Sequence, residues 1–144
     1  MGWVGPALML AFVLAHLLLT RQMLVKELLL VGAASLAGLT VDNLLAACGA
    51  VSYLGAPTVG LSPLWLVAIW AGFGATLRHS QSLFVRSPVH AVLTGLLGGP
   101  AAYWGGERLA RMEVHGVAGW LAVSATWLLA LVLLERLCAA LRRP

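Results

Sequence analysis

An aspartate inside an apolar run is the residue that most demands a chemical explanation. Asp42, followed by Asn43, lies in a stretch from Leu28 to Tyr53 that holds no other charge. It falls about 15 residues after Glu27 and about 11 before Tyr53, so at 1.5 Å per helical residue it is deep within any bilayer the helix crosses. A carboxyl group at that depth costs at least a few kcal/mol and faces a bundle interior, with a partner or water. It serves either as a helix-to-helix hydrogen-bonding group or as the centre of a proton, ion or substrate site. The next candidates are Arg78-His79-Ser80. Neighbouring residues on a helix do not face each other, so the spacing resists an Asp–His–Ser triad. An Asp42–His79 pair fits the depths better. Gly98-Gly99-Pro100, with Tyr103-Trp104 after it, is the third candidate. Pro100 lacks the amide hydrogen and crowds the carbonyl four residues earlier, so a kink with freed carbonyls is expected.

Around these lie Thr76, Thr94, Ser124 and Thr126, which could share a layer with Asp42, and Trp70 and Phe73, which could line a pocket. The resulting candidate ligand site comprises Asp42, Asn43, Trp70, Thr76, His79, Ser80, Pro100 and Tyr103. Trp3, Trp65, Tyr103, Trp104 and Trp120 fit an aromatic belt at one interface. His16, His90 and His115 form no i, i+4 pair, and no HExxH, CxxC or GxxxxGK[ST] occurs, so the motifs for metal and nucleotide are missing and no cofactor is indicated. Cys48 and Cys138 read as small apolar residues near opposite faces. Ala34-xxx-Gly38 is a small-xxx-small face for close helix packing.

The elements that must position these residues follow from composition. The chain has 144 residues, 61% of them hydrophobic and 10% charged; soluble domains carry about a quarter charged residues. Chemistry, if any, takes place in or at a membrane, on one transmembrane helical domain covering residues 1–144. The expected architecture is all-α: a polytopic bundle of about five spans, near Trp3–Leu19, Glu27–Tyr53, Pro63–Ser80, Val89–Gly105 and His115–Leu137. Turn-rich Gly55-Ala56-Pro57 to Ser62-Pro63 separates the second and third. Trp3 has no basic residue before it and no small-x-small site follows the first run, which reads as a retained span and not as a signal peptide.

The net charge of +4 is not a nucleic-acid signature, because the basic residues sit at the ends of apolar runs. Arg21, Lys26, Arg78, Arg86, Arg136, Arg142 and Arg143 fall in one set of alternate loops, and only Arg108 and Arg111 in the other. The first set should be cytoplasmic, giving an outside N-terminus and an inside C-terminus. That topology would suit a homologue with one more helix before Trp3.

The chain resembles a family of small bacterial polytopic inner-membrane proteins of unknown function. The resemblance rests on Val41-Asp42, on Ser62-Pro63-Leu64-Trp65 with Trp70 and Phe73, on Thr76-Leu77-Arg78-His79-Ser80, and on Gly98 through Gly106. It supports the fold and brings no established activity. The leading functional expectation is therefore a protein that binds or passes a small or lipophilic ligand around Asp42. Alternatives are an intramembrane enzyme acting on a lipid or isoprenoid with Asp42 and His79 as acid–base groups, and an accessory subunit. Expected partners are the lipid bilayer, a lipophilic ligand, and a homo-oligomer or larger membrane complex.

Overall fold

A computed structural model describes residues 3–55 and 57–142. Ala56 of the expected turn and Arg143 of the expected inner charge set lie outside the described residues. The chain is mostly helical: α1 (Val4–Leu19), α2 (Leu24–Ala47), α3 (Leu64–Thr76), α4 (Pro88–Leu93), α5 (Gly99–Arg108) and α6 (Gly116–Arg142). Two helical stretches of 27 residues, Arg21–Ala47 and Gly116–Arg142, are long and apolar enough to span a membrane. Shorter apolar helices cover Val4–Leu19 and Leu64–Thr76.

A π-helical turn, Thr94–Gly98, joins α4 to α5, so residues 88–108 form one continuous, interrupted helix. The expected interruption before Pro100 therefore takes the form of a widened turn. The Leu96 carbonyl, four residues before Pro100 and deprived of that partner, receives Ser124 Oγ from α6 at 3.5 Å. Gly95 makes this approach possible, since a Cβ there would collide with the Leu128 backbone of α6.

The sheet content is small and gathers at one end. Strand β1 (Val51–Tyr53) pairs antiparallel with β4 (Met112–Val114), and β2 (Thr58–Val59) with β3 (Ser62–Pro63). Here the structure departs from the expected spans. The second helix stops at Ala47 and does not reach Tyr53, because the chain turns at Gly49, in a left-handed conformation (φ 70°), and enters β1. The third helix stops at Thr76, short of Ser80, where the backbone tightens into turns: Gln81 N and His79 N both donate to Thr76 O. The last helix runs past Leu137 to Arg142, and Lys26 Nζ from the start of α2 donates to its Leu141 carbonyl.

Helix α3 packs on α2, α1 lies against α3, and α6 packs on α2 and on the α4–α5 segment. The Ala34-xxx-Gly38 face meets α3: Ala34 lies against Gly74, and a Cβ on Gly38 would fall inside the Trp70 ring. The buried centre includes Leu30, Leu45, Leu77, Val123 and Leu131.

Candidate ligand-binding site

Asp42 is fully buried, 0% exposed, on the face of α2 turned to α3. Three donors converge on its carboxyl group. Trp70 Nε1, from α3, donates to Oδ2 at 3.1 Å. Tyr53 Oη, from β1, donates to Oδ1 at 3.1 Å, and Tyr103 Oη, from α5, donates to the same oxygen. The two tyrosine hydroxyls are themselves 3.0 Å apart. Each donor comes from a different element, so one carboxyl group ties α2, α3, α5 and the β1 strand together. Local sequence explains why they reach. Gly38 leaves room for the indole, and the early stop of α2 lets Tyr53 fold back over Asp42.

Beyond this cage an aromatic cleft of about 300 Å³ opens between α3, α5 and α6. Trp70, Tyr103 and Trp127 form its inner wall, Phe73 and Met112 its sides, and Arg111 lies at its rim. Trp70 and Trp127 lie tilted by 38° at a centroid separation of 4.6 Å, while Tyr103 stands edge-on to Trp127 at 6.2 Å and 89°. The edge-on pair suits the ring quadrupoles. The Trp127 Nε1 is buried and has no hydrogen-bond partner among the described residues. Arg111 makes no ion pair among them, whereas Arg108 stacks 5.1 Å from the Trp104 ring. Asp42 does not itself line the cleft; it positions two of the rings that do, Trp70 and Tyr103.

The sequence candidates divide accordingly. Asp42, Trp70 and Tyr103 come together, and Pro100 lies in the same bent segment as Tyr103. Tyr103 is 2% exposed and so belongs to the interior, not to the expected aromatic belt; its hydroxyl is drawn in by the carboxyl group. Asn43 holds a loop instead. Its Oδ1 accepts from Leu61 N at 2.6 Å and its Nδ2 reaches Val59 O, pinning the β2–β3 hairpin. Thr76 and Thr126 bond back to their own helices, at Gly72 and Ala122. His79 and Ser80 are exposed at the opposite end. The expected Asp42–His79 pair does not form, because His79 Nε2 faces Glu27 Oε1 at 3.4 Å. Glu27 and Asp42 are 15 residues apart on α2, a rise of about 22 Å.

That second polar centre is invisible in the sequence. Glu27 is 0% exposed and takes Arg78 Nη1 at 3.2 Å, His16 Nε2 at 3.0 Å and His79. At the start of an apolar run it reads as an ordinary flanking charge. Tyr53 and Trp127 escape sequence reasoning too. Tyr53 reads as the end of a helix, and nothing in the spacing separates Trp127 from other apolar positions of α6.

The fold and this buried site define a helical protein with two membrane-length helices organised around an internal carboxyl group. The chain belongs to a family described as proteins of unknown function (DUF2878), whose model matches residues 1–133. No curated protein and no solved structure matches it.

Proposed function

We propose that the chain is a five-span protein of the bacterial cytoplasmic membrane, with its N-terminus outside and C-terminus inside, that binds a small lipophilic ligand in the aromatic cleft beside Asp42. The spanning reading is supported by large apolar side chains left exposed along the helices, such as Leu18 at 74%, Val117 at 76% and Leu133 at 67%. Orientation rests on the arginine and lysine distribution. The observation that carries the ligand reading is the cleft itself. At about 300 Å³ it reaches the size range of small-molecule sites, and its wall is mostly apolar and aromatic. Arg111 at the rim favours an amphiphile with an anionic head.

The test uses Gly105, which borders the cleft and has open space where a Cβ would be. Chain purified in mild detergent should carry a co-extracted lipid, enriched over the bulk membrane extract and identified by mass spectrometry. Gly105→Trp should fill the cleft and remove that species. An identical lipid profile in both proteins would refute the reading.

A second reading, an accessory subunit of a larger complex, draws support from a different observation. Both Asp42 oxygens already have partners within the chain, and a separate apolar groove of about 440 Å³ runs between α2 and α6 along Leu36, Leu44 and Leu133. Co-purification of one stoichiometric partner, lost on Leu36→Trp in that groove, would favour it. The intramembrane enzyme reading loses its acid–base pair, since His79 sits with Glu27.

A further inference from the structure

The polar centre on Glu27 is built differently from a simple buried ion pair. Arg78 alone neutralises the carboxylate, yet two imidazoles also point their Nε2 atoms at it. His16 comes from the last turn of α1, Glu27 from the first turn of α2, and His79 from the turn after α3. One ligand atom from each lies within 4.8 Å of the others. The imidazole centroids are 5.0 Å apart at an interplanar angle of 76°. Two imidazoles bound through Nε2 to a tetrahedral zinc ion, at the usual Zn–N length, would place their centroids about 5 Å apart. Arg78 donates to Oε1, while His16 faces Oε2. This is the arrangement in which an outer hydrogen bond orients a ligating carboxylate.

From this geometry we infer that His16, Glu27 and His79 bind a divalent transition-metal ion, with zinc the best match. Two histidines and one carboxylate make a three-ligand set that keeps a fourth position open. The His79 side chain is 44% exposed and provides the route of entry, whereas Glu27 is sealed at 0%. Arg78, in the turn after α3, is the charged group that faces the cluster beside His79. With Arg78 balancing Glu27, the bound ion adds two positive charges, so the open position takes an anion: hydroxide, or a phosphate oxygen. Motif reading misses such a site because its ligands come from three elements, with no HExxH spacing to betray them.

The experiment uses the full chain purified in detergent with a tag free of histidine, and cobalt(II) as the probe. Wild type should bind one equivalent, with visible ligand-field absorption that zinc displaces. Removing even an outer partner weakens metal sites by roughly 10–100-fold, so His16→Ala and His79→Ala should each weaken binding at least about tenfold. His90→Ala and His115→Ala, whose rings bond Ser87 and Ser52 instead, should bind as wild type. Should His16→Ala fail to accumulate, His79→Ala on its exposed ring carries the comparison. Zinc K-edge absorption of the loaded wild type should then count two imidazoles. Absence of saturable binding, wild-type affinity in the His79 variant, or a count other than two would overturn the inference.

Discussion

Replacing Asp42 tests whether one carboxyl group holds the cage together, and the donor set fixes the expected order of variants. Trp70 Nε1 can only donate, whereas a tyrosine hydroxyl both donates and accepts. Asp42→Asn can therefore turn its carbonyl to Trp70 and give its two amide hydrogens to Tyr53 and Tyr103, leaving one hydroxyl hydrogen without an acceptor at a cost of about 1–3 kcal/mol. Asp42→Ala in addition removes the acceptor of Trp70. The hydroxyls of Tyr53 and Tyr103, 3.0 Å apart, can satisfy each other once, but Trp70 Nε1 and one hydroxyl hydrogen are left without acceptors. Each orphaned buried group costs about 1–3 kcal/mol, hence about 2–6 kcal/mol for the two. Denaturant unfolding in detergent, followed by fluorescence of the six tryptophans, reads both values. Combining Trp70→Phe with Asp42→Ala should give a coupling of about 0.5–3 kcal/mol, as for contacting residues generally. Stabilities of the Asn and Ala variants agreeing within about 0.5 kcal/mol, or a zero coupling, would show that the carboxyl group does not organise this end of the bundle.

Three further outcomes follow from the packing. Arg78→Ala leaves Glu27 buried without its guanidinium and should cost about 3–5 kcal/mol, the usual loss on breaking a buried pair; an unchanged unfolding midpoint would contradict the pairing. Gly38→Ala drives a methyl group into the Trp70 ring and should cost about 1–3 kcal/mol by overpacking, while Gly32→Ala, with nothing within 4 Å of the new Cβ, should be neutral or stabilising. The reverse order in thermal melts would place the α2–α3 contact elsewhere. Topology can be read from the native thiols: Cys48 is exposed at the strand-bearing end and Cys138 is buried at the other. A membrane-impermeant maleimide added to intact cells should label Cys48 alone. Labelling of Cys48 only after the cells are opened would invert the proposed orientation.

Asp42 was legible because a single charge inside an apolar run has few innocent explanations. Trp70 and Tyr103, 28 and 61 residues away, were among the candidates grouped with it, but Tyr53, only 11 residues on, was not, because it reads as the end of the same helix and periodicity does not show the chain turning back. Glu27 shows the opposite failure. A charge at the edge of a span is common and looks like a boundary, yet the chain folds His16 and the α3 terminus over it until no surface remains. The break near Pro100 was readable from proline chemistry, but its form was not. A lost amide hydrogen can produce a hinge, a water site or a π turn, and the contact between Gly95 and Leu128 is compatible with the last. The short strands escaped for a related reason: Val51–Tyr53 is as apolar as the helix before it, and its partner Met112–Val114 is 61 residues further on.

The two polar centres share one helix pair, and this sets the register between α2 and α3. Asp42 meets Trp70 and Glu27 meets Arg78, so residue numbers fall along α2 as they rise along α3 and into the turn that follows it, as antiparallel segments require. In lipid, apolar side chains favour no alignment over its neighbours, because the acyl chains are as apolar as leucine. Small residues permit close approach but also leave alternatives, and a shift of one turn, about 5.4 Å, would still bring apolar faces together. The same shift would strand two buried carboxyl groups at once, and neither their hydrogen bonds nor the Gly38–Trp70 fit would survive it. The two carboxyl groups thus act as alignment devices first, and the aromatic cleft is a consequence: once Asp42 fixes Trp70 and Tyr103, the space between them and Trp127 has one shape. A variant lacking both alignment contacts, Trp70→Phe with Arg78→Ala, should therefore lose more than stability. Near-UV circular dichroism of the remaining tryptophans should lose its fine structure in the double variant while far-UV helicity persists, as when fixed packing is lost but secondary structure remains, whereas either single change should keep a near-native spectrum; a near-native spectrum in the double variant would refute the alignment role.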